Sequence, residues 1–275
     1  MSLSRDLDPG ASVLAFFGAE LRRCRLAADQ SQEQLGQQVS YSAALVGLIE
    51  NAKRVPSLSF AERCDDALAT GGALARLWPL VSRETLPGWF RPWIEIEREA
   101  TSLRSFEPLI IPGLLQTPEY ARTLLAAQPA GTEDGLEQLV ATRMDRQLIL
   151  SRENPPQLWF LLDEGALHRR VGGAKIMHDQ LAHLAEIAHR PKVAVQVVPF
   201  AAGAHPGLLG AFVIASFDGA GDIVYLETAA SGQVAETPSV IAEITLTYDT
   251  LRSEALPRTA SRELIMKVAD QNGPD

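Results

Sequence analysis

Cysteine is nearly absent from this chain. Cys24 and Cys64 are its only two in 275 residues, too few for a disulfide framework and without the C-x-x-C spacing of a metal or redox pair. They read as two idle or buried thiols in a reducing compartment. No apolar run approaches the roughly 20 residues that a membrane helix requires. Val13–Phe17 is too short, and a charged stretch follows it after a single glycine. The N-terminus is acidic rather than basic, so no secretory signal is expected and the chain reads as cytoplasmic, with no membrane partner. Basic charge is also scarce: 25 Lys and Arg stand against 34 Asp and Glu, a net charge of −9. That excludes a general attraction to polyanions, so any nucleic-acid contact has to be local.

Catalytic signatures are missing as well. There is no G-x-S-x-G, no P-loop and no dinucleotide fingerprint around Gly165, Gly172 and Gly173. Of the five histidines, His178 and His183 stand five apart, off one helix face, and no H-E-x-x-H or Cys-His set exists. No enzyme activity, metal or cofactor is expected. Asp163 and Glu164 beside His168 could suggest acid–base work, but that needs a facing carboxylate or a cleft. A capped helix start with acids favourable to its dipole is the better account. The glycine-rich Phe200–Phe212, with His205, runs from strand to strand. It reads as a turn or pocket lining rather than a phosphate cradle at a helix start.

What is present is globular: 46% apolar and 21% charged residues, in a length that suits two domains. After a loose ten-residue tail, Ser12–Glu84 shows short helices and tight turns with no strand alternation. Helix one spans about Ser12–Ala28, with Val13, Phe16, Phe17, Leu21 and Cys24 inward and Arg22, Arg23 and Arg25 outward. Ser31 and Gln34 form a capping box ahead of Gln32–Val39. A third helix covers about Ser42–Asn51, and two more follow from Pro56 and from "GGALARLWPLV". Leu86–Glu97, rich in proline and aromatics, is the junction. Phe106–Tyr120 is turn-rich, with Thr117 capping the next helix. Leu136–Leu150 is amphipathic, with Leu136, Leu139, Val140 and Leu148 on one side. Strands are expected only beyond this point: Gln157–Leu162 and Val193–Phe200 as a parallel pair, then an antiparallel hairpin of "GAFVIASF" and "DIVYLE". Helices starting at Thr237-Pro238 and at Ser261 complete a mixed α+β body.

"SQEQLGQQVSYSAALVGLIENAKRVP" (Ser31–Pro56) carries the functional signal. Leu35, Val39, Val46 and Ile49 are spaced to clasp two short helices, and Gly36 lets them approach. From Glu20 to Arg54, five basic side chains (Arg22, Arg23, Arg25, Lys53, Arg54) face four acidic ones, a net of +1, whereas the rest of the chain carries −10. The stretch Ala11 to about Leu80 resembles the lambda-repressor-like, or XRE, family of helix-turn-helix domains, on "SQEQL", the inner set, "IEN" and "KR-x-P". The resemblance implies that Gln32 bonds a phosphate of double-stranded DNA. It implies that Ser42, Ala43, Ala44, Gly47 and Leu48 face the groove, while Asn51, Lys53 and Arg54 grip the backbone. Two departures stand out. The turn position, usually glycine, is Ser40, which would carry strain. The reading face also lacks the Arg, Lys, Asn or Gln that make bidentate base contacts. Three readings remain: methyl contacts aided by DNA shape, modest affinity raised by dimerisation, or a reader now turned to protein.

The blocks "SLRSFEPLIIPGLLQTPEYARTLL", "RMDRQLIL", "LWFLLDEGALHRRVGG", "MHDQLAHL", "VAVQVVPFAAGAHPGLLGAF" and "IVYLE" are similar to the C-terminal domain of actinobacterial, antitoxin-like regulators of the Scr family. That resemblance implies a cytoplasmic, repressor-like regulator, frequently paired with a small partner protein, and does not imply a catalytic activity. The organisation expected is an N-terminal all-α five-helix bundle over 11–84, a junction over 85–105 and an α+β regulatory domain with a mixed sheet over 106–270, working as a homodimer.

Overall fold

The computed structural model describes residues 7–84, 87–127, 133–228 and 231–273. Most of the expected tail (1–6) and the first two junction residues (85 and 86) lie outside these. The chain forms two compact units, one of residues 1–87 with 131–145 and one of 88–130 with 146–275. The first is an all-helical bundle. The second is an α+β body built on a mixed sheet.

Five helices make the bundle: α1 (Val13–Ala27), α2 (Gln32–Val39), α3 (Ala43–Glu50), α4 (Leu58–Leu68) and α5 (Ala73–Glu84). A serine opens each of the first four. Ser12, Ser31, Ser42 and Ser57 accept, at 3.0–3.1 Å, the backbone N–H three residues on, each cap contributing about 1 kcal/mol. Ser31 completes the expected capping box with Gln34. The same four helices close on a left-handed residue that is not glycine: Asp29, Ser40, Ala52 and Ala69. In each case the next N–H reaches back five residues: Gln30 to Arg25, Tyr41 to Gly36, Lys53 to Leu48 and Thr70 to Asp65. These are Schellman closures without the residue that suits them. Ser40, at φ 61° and ψ 41°, therefore takes the strained turn itself. The fifth helix is capped from a distance. The buried Asp65 carboxylate accepts the N–H groups of Leu74 and Ala75 at 2.9 and 2.8 Å, and the hydroxyl of Thr70.

The bundle core gathers Phe17, Leu21, Leu35, Val39, Val46, Ile49, Phe60, Cys64, Leu74 and Trp78. Both cysteines are free and buried, and burial pushes the Cys64 thiol up to about 12. Two expectations for α1 are corrected. Phe16 is exposed, and Arg25 points inward, because Leu21 and Arg25 are four apart and share the inner face. A further helix, α8 (Glu133–Arg146), gives residues 133–145 to this unit. Val140 on it is buried, but Leu148, expected on the same side, lies on the following 3-10 turn and is exposed. Burial and the neighbouring Glu62 of α4 raise the carboxyl of Asp145 to about 6.

In the second unit six strands take the order β3-β2-β1-β4-β5-β6. They are β1 (Ser102–Glu107), β2 (Gln157–Asp163), β3 (Val193–Val198), β4 (Phe212–Phe217), β5 (Ala220–Glu227) and β6 (Gly232–Ala235). The expected parallel pair β2–β3 and hairpin β4–β5 are present. Strands β1 and β6 were not expected. β1 is central, parallel to β2 and antiparallel to β4, yet Arg104 and Ser105 break its apolar alternation. One sheet face is covered by α6 (Arg91–Glu99), α7 (Pro118–Ala126), α10 (Ala174–Ile187) and α12 (Arg258–Gln271), which bring Trp93, Tyr120, Leu181, Leu184 and Ile265 to one core. The other face meets α11 (Pro238–Glu254), through Tyr248 and Leu251.

The turn-rich segment after β1 is held from inside by side-chain amides. Gln180 donates to Leu115 O and accepts from Thr117 N, both at 2.7 Å. Gln116 donates to Ile111 O, and Gln147 to the carbonyls of Gly113 and Gln116. Thr117 caps α7 as expected, and Leu114, Leu115 and Tyr120 are buried.

Two substitutions probe the bundle. Ala69→Gly removes a Cβ from a left-handed closure and should raise stability by about 1 kcal/mol in urea unfolding. A drop in stability would show that the closure is unstrained. Asp145→Asn should stabilise more at pH 7.5 than at pH 4.5. A carboxyl whose folded pKa lies above its unfolded value favours folding when protonated, and that favour disappears as pH rises through about 6. A stability difference independent of pH would contradict the burial of this group.

Candidate nucleic-acid interface

α2 and α3 form the expected pair. Leu35, Val39, Val46 and Ile49 are all buried, none more than 2% exposed. A Cβ on Gly36 would stand 2.8 Å from Tyr41 O and 3.1 Å from Ala43 N, so only glycine lets α2 pass so close to the start of α3. Gly18 plays the same part on α1, where a Cβ would meet Ile49 O at 2.5 Å.

The reading helix is fixed by a buried ion pair. Arg25 grips Glu50, the last residue of α3, with Nε to Oε1 at 2.6 Å and Nη2 to Oε2 at 2.9 Å. The two side chains are only 8% and 1% exposed. Arg25 Nη1 also donates to Gln30 O at 2.6 Å, and Gln32 Nε2 to Glu50 Oε2 at 2.7 Å. This one cluster joins α1, the turn after it, the first residue of α2 and the end of α3. In the sequence Arg25 falls on the expected outer face of α1, and Glu50 stands only in a family motif. The signal that could have paired them is the four-residue step from Leu21.

The candidate contact residues fall into three groups. Gln32 is half-buried, with its amide on Glu50 and its carbonyl end beside Gly47, where a Cβ would lie 3.1 Å from Oε1. Ser42, Ala43, Ala44, Gly47 and Leu48 run along α3 and its cap. Ser42, Ala44 and Leu48 are exposed, and Ala43 and Gly47 half-exposed. The Ser42 hydroxyl already accepts Leu45 N–H at 3.1 Å, which leaves its own proton to donate. Asn51 and Lys53 are exposed just beyond α3, and Arg54 is half-buried. Asn51 Nδ2 donates to Gly47 O at 2.7 Å, and Ala52, at φ 53°, turns the chain. Arg23 is tied to Glu20 at 2.6 Å. With Arg25 neutralised inside, the cations that follow α3 are the exposed Lys53 and the half-buried Arg54. The face therefore offers methyl groups along its middle, one hydroxyl at its start and two cations at its end.

In the second unit, Asp163 caps the short helix α9 (Glu164–His168) through Gly165 N–H at 2.7 Å, as expected. Its other oxygen lies 3.1 Å from His205 Nε2, a pairing that sequence order hid across 42 positions. Among the described residues, no group of three His, Cys, Asp or Glu side chains could hold a metal ion, and no helix is long and apolar enough to cross a membrane.

Removing one partner of the central pair should be costly. Arg25→Ala leaves Glu50 buried without its cation and should cost about 3–5 kcal/mol, whereas Arg25→Met with Glu50→Leu should cost far less. Urea unfolding of the full chain measures both. A single-variant cost below about 1 kcal/mol, the size of an exposed pair, would deny the cluster its role.

Two family models match the chain. A helix-turn-helix domain model covers residues 17–78, the part that holds the locked α2–α3 pair. The domain of unknown function DUF5753 covers residues 90–267. No curated protein and no solved structure matches. The helix-turn-helix domain indicates a DNA-binding regulatory function. With the larger match spanning well over half of its length, the chain belongs to the DUF5753 family and joins that domain to an N-terminal helix-turn-helix domain.

Proposed function

We propose that this chain is a cytoplasmic, non-catalytic transcriptional regulator that docks α3 in the major groove of double-stranded DNA. The observation that carries this reading is the pinned α2–α3 pair, with Ser42, Ala44, Leu48, Asn51 and Lys53 along an exposed line. Gln32, Asn51, Lys53 and Arg54 contact phosphates and set the register. Ala43, Ala44 and Leu48 lie against thymine methyls, Gly47 permits close approach, and Ser42 donates to a base or phosphate. Methyl contacts discriminate weakly, so DNA shape and a second copy supply the remainder. Two linked heads read half-sites about 34–36 Å apart, one helical turn. Residues 11–84 are the reading module, 85–105 the junction and 106–270 an Scr-like regulatory region that pairs copies and answers a small protein encoded nearby.

The apolar middle of α3 also favours a second reading, an antitoxin-like interaction module in which DNA binding is secondary. Mapping of bound genomic DNA separates the two, because only a regulator yields a recurrent site with fixed half-site spacing. At the residue level, Lys53→Ala with Arg54→Ala should weaken the gel shift by about tenfold or more. It should also lower the slope of log affinity against log salt by about 2, one for each phosphate that the variant leaves unneutralised. Operator affinity equal to that of the parent chain would reject these two as backbone contacts.

A further inference from the structure

The loop between β3 and β4 exposes apolar side chains at an unusual density. Phe200 and Leu208 are each 61% exposed and Leu209 is 95% exposed, all within ten residues. The loop is nevertheless firmly built. His205, its side chain only 4% exposed, bonds Asp163 at the end of β2 and meets the Phe106 ring edge-on at 5.9 Å. Phe200 N donates to Glu164 Oε2 at 2.7 Å, and its ring stacks on His168. Gly207 sits directly beneath Phe106 and Leu251, where a side chain has no room. A short 3-10 turn, Pro206–Leu209, packs against α11, whose Leu246 is also exposed. The inner side of the loop is thus fastened at three points, while its leucines point to solvent. Apolar groups fixed in this way mark an interaction surface.

We infer that Leu208 and Leu209 form the face through which two copies of this chain pair. Charge identifies the occupant. The chain carries −9 overall, so most of its surface repels a second copy. An isologous contact sets a patch against itself, and any charge on it meets its own like. Val193–Phe217 holds no Asp, Glu, Lys or Arg and is the longest uncharged run in the sequence. Its one titratable residue, His205, is turned inward. An acidic or basic partner finds nothing on this loop to pair with, whereas a second copy finds an apolar match. The pairing supplies the two heads of the regulator proposed above, and rests on that reading only for its purpose.

Analytical ultracentrifugation of the full chain without DNA tests it. The parent should sediment at twice the 29.8 kDa chain mass. Leu208→Asp with Leu209→Asp should sediment as a monomer with unchanged circular dichroism, while Leu148→Asp, at an exposed leucine by the opposite end of the sheet, should stay paired. Should the double variant fail to fold, Leu209→Ser, at a side chain almost wholly in solvent, should raise the dimer dissociation constant at least tenfold. A parent chain that is monomeric at tens of micromolar overturns the inference. So does a folded double variant that stays dimeric, a Leu209→Ser dissociation constant equal to the parent's, or a Leu148→Asp chain that falls apart equally. The Lys53→Ala, Arg54→Ala chain should remain paired while binding DNA more weakly, so failure of the docking reading and failure of the pairing leave different records.

Discussion

The Arg25–Glu50 pair is the interaction on which the presentation of the reading helix depends. Withdrawing two ions from water costs several kcal/mol apiece, and Coulomb attraction offsets this only when geometry and further hydrogen bonds are good. Here the bond is two-pronged, the third guanidinium nitrogen is taken by Gln30 O, and Gln32 adds a donor to the carboxylate. A hydrophobic substitute could hold α1 against α3 equally firmly; what the pair adds is a two-pronged, directed contact between named atoms of the two helices. Gly18 and Gly36 make the arrangement possible, since a methyl group at either would collide with the backbone that the ion pair draws in.

The second unit solves a related problem differently. A central strand followed at once by a proline-punctuated turn leaves backbone groups inside the protein with no ladder to join, and buried backbone groups must find partners. Gln116 and Gln180, both almost fully buried, supply them with the help of Gln147. Amides suit this work because each offers donors and acceptors without a charge to desolvate.

Much of the architecture was legible from the sequence. The Ser31 capping box, the clasping quartet and Gly36 are local signals, written within a few residues of the feature they make. So were β2, β3 and the β4–β5 hairpin, whose strands are dominated by apolar residues. What could not be read depended on distant partners. β1 becomes a strand because β2 and β4 flank it, and its Arg104 finds Asp222 118 positions away. Arg25 was placed outside because a charge is normally solvated, and only Glu50 makes its burial tolerable. The Asp163–His205 bond joins the end of β2 to the loop after β3, 42 positions on in the sequence. The reading face was read along α3 because it depends on one helix's periodicity, but the use of the Gln32 amide on Glu50 was not, since it depends on the third helix.

The assignment of residues 133–145 to the helical unit bears on how such chains can be cut and recombined. A fragment ending at residue 84 would leave out α8, and with it the buried Val140. The acid pair of Glu62 and Asp145 would be dissolved at the same cut. A graft of residues 11–84 alone would carry the locked α2–α3 pair but not the stretch that the fold adds to this unit from beyond residue 130.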